Sequence, residues 1–595
     1  MNNHHSNFRI QNSAYKSTPN FLMKYNWKLK ETSEIDLQNI VNEFNLPKSI
    51  ATIMAQRGIF DREISRNFFY PDLKKLHNPF LMSGMEKSVI YIKEIIKNKK
   101  TIVIFGDYDV DGTTATSALY LFFKSIGVDV HYYIPNRLNE GYGLSKLGID
   151  FTVNIGAELL ITCDCGITAI EEVDYANSKS LNVIITDHHK QGSKLPNAFS
   201  IINPNQNNCD YPFKGLCGAG VALKLIIAIC QKLEIDEHEA LKYTDIITLG
   251  IAADIVPIVD ENRIIAADGI RKIELKQNLG INALLKSARL TSKDITIGRL
   301  VFGVNPKINA AGRLGDAGRA IKLLTTQNHI LAEKIANDLE KENKHRQTIT
   351  LKTVEDCYFQ VQENNNFKNK NAIILSKNKW HHGVVGIAAS KIKENYNKPT
   401  IIISFDENGI GRGSCRSIPG FDIHNALGKC ADYLIGFGGH PMAAGLSIEK
   451  SKMESFTHIF QKFAKESITD EQLVPKLTID TKLNVKDINS RLIKFLKSMS
   501  PYGPGNIRPK FLAQKVNLKG IPKIIGKNSD TLKFTVQDDR SAFEAIGFSM
   551  IDKYEFLLSG EPIDMVFEIG ENEWNGKKSI QLEIKDIKPG NYNYV

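Results

Sequence analysis

The triplet Asp187-His188-His189 closes the apolar run Asn182-Val-Ile-Ile-Thr186. A buried strand that ends in one acid and two imidazoles has to put them where charge is useful, because an unpaired buried charge is costly. Three more acidic turns answer it: Gly106-Asp-Tyr-Asp-Val-Asp-Gly112, Thr162-Cys-Asp-Cys-Gly166 and Ala253-Asp254-Ile-Val-Pro257. The first two follow short β-branched runs, Thr101–Phe105 and Leu159–Thr162. Such runs, separated by helical stretches, read as buried parallel strands. Acids and imidazoles at their carboxyl ends converge in one crevice, the place where open α/β sheets hold ligands. That density of negative charge predicts divalent cations.

Asp109 and Asp111 stand two residues apart in a turn entering a helix, so each is expected to face a different ion. Asp164 is placed to bridge the two, and His188 and Asp254 to complete their shells. Asp107 is either a further ligand or a turn-former. Hard oxygen donors with one or two imidazoles favour Mn²⁺ or Mg²⁺ over a thiolate-type zinc site. Cys163 and Cys165 flank Asp164, but in an extended strand they point away from it. Two ions about 3.5–4 Å apart stabilise both the attacking and the leaving oxygens of a phosphoryl displacement. The positive helix end beyond Gly112 suits phosphate.

A chain of 595 residues is too long for one core, and three or four domains are expected. An α/β class follows from the pattern. Residues 76–290 alternate strand (101–105, 129–134, 158–163, 182–186, 199–203) with helix (113–125, 219–233), which predicts a doubly wound parallel sheet carrying the acidic turns. Residues 291–365 connect onward through a long helix, about 328–364, with Leu331, Ile335 and Leu339 at near-helical spacing. A second α/β block, 366–465, has strands at 372–375, 400–404 and 409–414 and two glycine-rich turns. Residues 466–595 close in short alternating strands (532–536, 541–548, 564–569, 579–584), a small β-barrel of the OB type. Residues 1–75 have no catalytic signature and read as a cap or packing region.

The formal charge is +10, and it is concentrated. Lys476 to Lys533 contains thirteen Lys or Arg against Asp480, Asp487 and Asp530. With Phe495, Tyr502 and Phe511 interleaved, the segment is either a polyanion-binding surface or a solvated lysine-rich face. No run approaches the ~20 apolar residues of a membrane span, the first twenty residues lack the apolar core of a secretory signal, and eight scattered cysteines argue for reduced thiols. A cytoplasmic protein with no membrane contact is expected.

In the second block, Gly411-Arg412-Gly413-Ser414 and Arg416 put two guanidinium groups on one strand face. Arginine forks grip phosphate oxygens, and the glycines let the backbone approach.

The set Asp109-Val-Asp111, Asp164, Asp187-His188-His189 and Asp254 resembles the four motifs of the DHH phosphoesterase superfamily. Trp380-His-His-Gly383, Gly411-Arg-Gly-Ser-Cys-Arg-Ser417 and Gly438-Gly-His-Pro-Met-Ala-Ala-Gly445 resemble the DHHA1 domain that follows it, and Asn309-Ala-Ala-Gly-Arg-Leu-Gly-Asp316 fits the same pattern. The likeness spans about 76–595. It implies that Asp109, Asp111, Asp164, His188 and Asp254 hold the metals and that His189 contacts the scissile phosphate or assists the leaving group. Asp187 orients its neighbours. Arg313, between small residues, could reach the phosphate opposite the metals, Asn309 of the same motif is a substrate-binding candidate, and His440, beside Gly439, meets the substrate phosphate or terminal nucleotide, with His381 in a similar role.

The function so implied is single-stranded DNA digestion from the 5′ end to mononucleotides, in repair and recombination. A monomer is expected, with a single-strand-binding protein or a helicase as protein partner. Two rivals stay open: a phosphodiesterase of this superfamily acting on short oligoribonucleotides or cyclic dinucleotides, and a non-catalytic single-strand-binding scaffold. One departure stands in Pro501-Tyr-Gly-Pro-Gly-Asn-Ile-Arg-Pro509, where Ile507 occupies a position expected to be proline.

Overall fold

The computed structural model describes residues 25–590 except 137–138, 291–294, 315, 364–369, 528, 539–540 and 575–576; for 313–314, 573–574 and 577 it describes the backbone alone. The first α/β domain holds a five-stranded parallel sheet in the order Val130–Tyr133, Ile102–Gly106, Leu159–Cys163, Asn182–Thr186, Ser200–Ile202. The three central strands are buried along nearly their whole length, because helices cover both faces. The strand order reverses between Ile102–Gly106 and Leu159–Cys163, so chain crossovers leave on opposite faces there. A crevice opens at their carboxyl ends, and the loops bearing Asp107–Asp111 and Asp164 rim it.

The helix expected from Thr113 begins earlier, at Val110. Asp109 is its N-cap, with Oδ1 accepting from the Gly112 amide at 3.0 Å, which draws the start of the helix into the acidic motif. The positive helix end is thus engaged by the protein's own carboxylate rather than left open for phosphate.

The bridging helix runs His329–Glu363, 35 residues. Beyond it a second domain carries a five-stranded sheet in the order Gly436–His440, Ala443–Glu449, Ile410–Arg416, Thr400–Phe405, Ile373–Asn378, of which the last pair alone is parallel. Two of these strands, Gly436–His440 and Ala443–Glu449, form a hairpin where a tight glycine-rich turn was expected.

The C-terminal barrel is closed. Strands Phe511–Ile525, Thr531–Asp538, Ser541–Gly547, Lys577–Pro589 and Ile563–Trp574 pair in that order, and the last pairs back to the first. Closure removes the unpaired edge. The basic, aromatic segment is only partly a surface. Phe511 is fully buried in the barrel core, Phe495 packs on Phe69, and the Tyr502 hydroxyl donates to the Leu496 carbonyl, so none of the three is a stacking platform. Lys497, Lys510 and Lys533 pair with Glu571, Glu568 and Glu544. Lys515, Lys519, Lys523 and Lys527 are exposed and have no ion pair among the described residues, and Ile521 is 76% exposed between them.

The N-terminal region belongs to this end of the molecule. Strand Asn26–Leu29 pairs in parallel with Lys476–Ile479. Ile40, Ile50, Ile53 and Met54 join Phe511, Met565 and Phe567 in one core. Arg263, on the helix Asp260–Glu274 of the first domain, ties the two ends together. It is 2% exposed, stacks 4.0 Å from the Phe68 ring centroid, and donates to the carbonyls of Phe68, Met499, Ser500 and Pro501. No described helix is long and apolar enough to cross a membrane.

Replacing Arg263 by Met leaves four carbonyls without their charged donor, each worth about 1–3 kcal/mol when buried. Cooperative losses overlap, and Arg263→Met is expected to destabilise the barrel's docking by about 3–5 kcal/mol. Urea titration followed by the fluorescence of Trp27, which packs against the barrel, should show an earlier transition, while far-ultraviolet circular dichroism still shows the catalytic domain melting at its own midpoint.

Candidate metal centre

Asp107, Asp109, Asp111, Asp164, His188, His189 and Asp254 come from four chain segments and meet at the crevice. Their donor atoms form three overlapping groups: Asp107–Asp109–Asp164, Asp111–His188–Asp254 and Asp164–His188–His189, each within 4.8 Å. Asp109 and Asp111 thus face different groups, and Asp164 and His188 are shared. His188 Nε2 lies 3.0 Å from Asp164 Oδ1, 3.6 Å from Asp254 Oδ2 and 3.9 Å from Asp111 Oδ2. Asp107 sits with the donors, though its turn position alone left this undecided. Neither Cys163 nor Cys165 belongs to a donor group among the described residues.

Local folding explains how each side chain arrives. Asp164 follows a strand end in the left-handed region, φ 61°, which a short acid tolerates. Asp254 is the C-cap of the helix Thr244–Ala253, and the next residue, Ile255, is also left-handed at φ 59°. A β-branched side chain there costs on the order of 1–3 kcal/mol. The far side of this loop is clamped by the barrel junction: the Ile258 amide donates to the Pro504 carbonyl at 2.7 Å, and a Cβ on Gly503 would come within 2.4 Å of Ile258 Cγ1. The junction around Ile507 therefore braces a metal-side loop.

Backbone donors serve some of the acids. Asp111 accepts from the Gly218 and Ala219 amides at 2.6 and 2.9 Å, the N-terminus of the helix Gly218–Leu233. Asp187 Oδ2 accepts from the Ile167 amide, and Oδ1 accepts from the amides of His188 and His189 and lies 2.8 Å from His189 Nδ1. That places Asp187 behind the histidines, fixing the His189 ring. Sequence reading missed Gly218, whose Cβ would lie 2.5 Å from Asp164 Cβ, and Gly250, whose Cβ would lie 2.6 Å from Asp111 Oδ1. It also missed Asn205, which donates to the His188 carbonyl, and Tyr142, whose hydroxyl lies 3.3 Å from His189 Nε2. The run Gly215-Leu-Cys-Gly-Ala-Gly220 was the available signal, a glycine-rich helix start with apolar residues after it.

For Asp107 and Asp109 backbone amides relieve less than burial and neighbouring charge impose. Burial first, and then the Asp109 charge, push Asp107 up to about 8; burial and the Asp111 and Asp109 charges do the same to Asp254, also to about 8. Asp109 and Asp164 move upward for the same reasons. Burial lowers His188, whereas for His189 the Asp187 carboxylate overrides burial and raises it to about 9. Asp107 Oδ1, Asp164 Oδ1 and His188 Nε2 are buried without hydrogen-bond partners among the described residues. Buried polar atoms are rarely orphaned; His188 Nε2 lies 3.0 Å from Asp164 Oδ1, and Asp107 shares a donor group with Asp164. Hard oxygens plus imidazole fit a pair of Mg²⁺- or Mn²⁺-class ions.

Across the crevice, the helix Asn305–Leu314 presses on the acidic loop: a Cβ on Gly312 would lie 2.6 Å from the Tyr108 carbonyl oxygen. Asn309 is half-buried on this helix, and the Arg313 side chain lies outside the described residues. In the second domain a cavity of about 500 Å³ is lined by His382, Ser390, Arg412, Ser414 and Arg416 among others. Arg416 donates to Ser414 Oγ at 2.9 Å and Ser390 Oγ at 3.2 Å, and no carboxylate neutralises it there. His381 is placed otherwise than expected. Its Nδ1 accepts from the Gly383 amide and caps the helix His382–Tyr396, and His382 is the residue that lines the cavity. His440 and Gly439 stand on the exposed hairpin, and neither lines the cavity.

A parallel sheet with shared acid and imidazole donors at its switch point defines a phosphoesterase of the two-metal class. Residues 101–251 match the DHH family, N-terminal domain, 369–466 the DHHA1 domain and 479–586 the RecJ OB domain. The single-stranded-DNA-specific exonuclease RecJ of Bacillus subtilis (strain 168) is 34% identical over 570 residues, 95% of this chain and 71% of that protein. The enzyme of the same name from Haemophilus influenzae is 32% identical over 582 residues, 94% of this chain and 99% of that one. The fold is shared with RecJ from Thermus thermophilus in complex with Mn²⁺, at TM-score 0.80 and 24% identity, over 95% of this chain and 79% of that one. A manganese-bound exonuclease RecJ is 30% identical with TM-score 0.57, over 65% of this chain and 96% of that chain. The chain belongs to the RecJ family.

The raised carboxylates set a pH dependence. Without metal the folded state holds protons on Asp107 and Asp254 that the unfolded chain, with ordinary carboxyl values near 4, has already released. The native state binds more protons, so stability falls as pH rises from about 4 to about 8. The melting midpoint of chelator-treated protein should drop across that window, and millimolar Mn²⁺ should flatten the decline by replacing protons with metal.

Proposed function

We propose that this chain degrades single-stranded DNA to mononucleotides from the 5′ end, with two divalent ions, Mn²⁺ or Mg²⁺, held by Asp107, Asp109, Asp111, Asp164, His188 and Asp254. The observation that carries it is the set of buried donor atoms without hydrogen-bond partners at the acidic crevice, together with an arginine cavity on the second domain whose lining holds no carboxylate. Divalent ions bound there supply a water nucleophile at neutral pH and offset charge on the phosphate. Asp164, shared between donor groups, keeps the two positions in register. His189, protonated through its bond to Asp187, presents a donor to the phosphoryl oxygen where negative charge builds up. Ser414 and Arg416 hold the 5′-terminal phosphate, with Arg412 at the mouth of the cavity; Asn309 contributes from the helix Asn305–Leu314, and Arg313 is assigned to the same phosphate from its motif alone. The unpaired lysines of the barrel grip the strand beyond, so affinity falls with salt.

One chain carries the full donor set, so a monomer suffices. A single-strand-binding protein or a helicase would deliver the unpaired strand. Eight cysteines without a disulfide among them suit the reducing cytoplasm, where we place the enzyme.

A 5′-labelled single-stranded oligonucleotide incubated with the protein and Mn²⁺ should release labelled mononucleotide, and the matching duplex should resist. Attack on dinucleotides with no shortening of the long strand would overturn this reading in favour of a short-oligonucleotide phosphodiesterase. Asp164→Ala should lower kcat at least about 10³-fold while strand binding stays within a few-fold. Arg416→Ala removes a charged donor worth about 1.5–3 kcal/mol, so the KM for 5′-phosphorylated strands should rise about 10- to 100-fold, with much less effect on 5′-hydroxyl strands.

A further inference from the structure

The bridging helix His329–Glu363 has a polar waist. Its buried stripe begins as Ala332, Ile335, Ala336 and Leu339, all within the core of the catalytic domain, and ends as Val354 and Cys357, within the core of the second domain. Between Leu339 and Val354 the same stripe reads Asn343, Arg346, Thr350 and Thr353. At 1.5 Å per residue that stretch is about 22 Å long. Its polar residues belong to neither hydrophobic cluster, and the stretch links the part of the helix in the first core to the part in the second.

A helix from each domain packs on this one. The helix Asn305–Leu314, which presses on the metal loop at Tyr108, packs on its first half, and the helix His382–Tyr396, which lines the arginine cavity, packs on its second. Arg346 lies between them. One Nη donates to Asn343 Oδ1 at 2.9 Å, while Nε is buried and has no partner among the described residues. The acids nearest in sequence are committed elsewhere: Glu340 pairs with Lys307 and Lys344, and Glu342 holds Arg319 in a two-point grip. Burial lowers the guanidinium from its ordinary value, and no carboxylate opposes it.

Arg346 is half-buried, and a partly desolvated cation without an anion weakens the fold that keeps it. Such a group is explained when its anion arrives with the substrate, and a guanidinium fork has the geometry for phosphate. We propose that Arg346 grips a backbone phosphate of the single strand lying in the interdomain gap, a contact separate from the metal centre and from the Ser414–Arg416 cavity. The proposal rests on the reading of a single strand as substrate.

Arg346→Met keeps the length and removes the charge, and Arg346→Lys keeps the charge alone. With a single-stranded oligonucleotide, Mn²⁺ and a series of NaCl concentrations, Arg346→Met should raise KM about tenfold and leave kcat within about twofold. The slope of log kcat/KM against log salt should become shallower by about 0.7, the value for one phosphate contact on a single strand. Arg346→Lys should restore the slope and part of the KM. Without DNA, the melting midpoint of Arg346→Met should hold or rise, since an uncompensated charge is gone. An unchanged KM and salt slope overturns the proposal whatever the melting midpoint does. A lowered midpoint with loss of kcat, not rescued by lysine, also overturns it and makes Arg346 a packing residue. Failure of the unaltered protein to digest the oligonucleotide is a different result: the substrate reading then falls first and takes this contact with it.

Discussion

Mutual repulsion among buried carboxylates is the constraint around which this molecule is organised. Asp107, Asp109, Asp111 and Asp164 share one crevice with Asp254, and Asp107, Asp111 and Asp164 are almost fully excluded from solvent. Backbone amides satisfy Asp111 and Asp187. The protein offers no comparable donors to Asp107 Oδ1 or Asp164 Oδ1 among the described residues. Such a pocket is stable either protonated or loaded with cations, and cations are the solution compatible with neutral pH and phosphoryl chemistry. The glycines at 218 and 250 follow from the same constraint, since the helices that enclose the pocket must come within side-chain distance of the acids.

The sheet and its acidic turns were legible because each of the three central strands is a short apolar run leading straight into an acid, a pattern that local sequence alone produces. The same holds for the bridging helix, whose expected span differs from the observed one by a single residue at each end. Legibility failed where tertiary contact decides. The strand Phe511–Ile525 was hidden in the basic segment, because its lysines, Gly520 and Pro522 read as a loop, and register shifts at Ala513–Val516 and Lys519–Lys523 interrupt its alternation. Phe495, Tyr502 and Phe511 looked like a stacking surface because aromatic residues among lysines have the same composition whether they face solvent or core. Gly218, Gly250 and Asn205 act on residues far away in the chain, and no spacing rule links them. His381 illustrates the limit within one motif: two adjacent histidines are equivalent in sequence, and the helix start separates a cap from a cavity wall.

The site is assembled from parts with different rigidity. Strand ends and helix caps fix Asp109, Asp111 and Asp187. Asp254, by contrast, stands on a loop whose next residue is strained and whose far side leans on the barrel junction through Pro504. The metal centre is therefore not independent of the barrel domain. Arg263 joins these parts from beneath, with carbonyls of both the N-terminal helices and the junction on one guanidinium.

The shared core of the N-terminal helices and the terminal barrel has a consequence for synthesis. Ile40, Ile50 and Met54 leave the ribosome long before their partners Phe511, Met565 and Phe567. Throughout translation of the intervening residues, the nascent chain presents a greasy flank with nothing to cover it, while the catalytic domain can fold behind it. Long-range closure of this kind is slow, because loop entropy must be overcome before the contacts form. A chaperone that shields such a flank would matter most during those seconds, and an unfinished polypeptide would lack the closure that completes the mature enzyme.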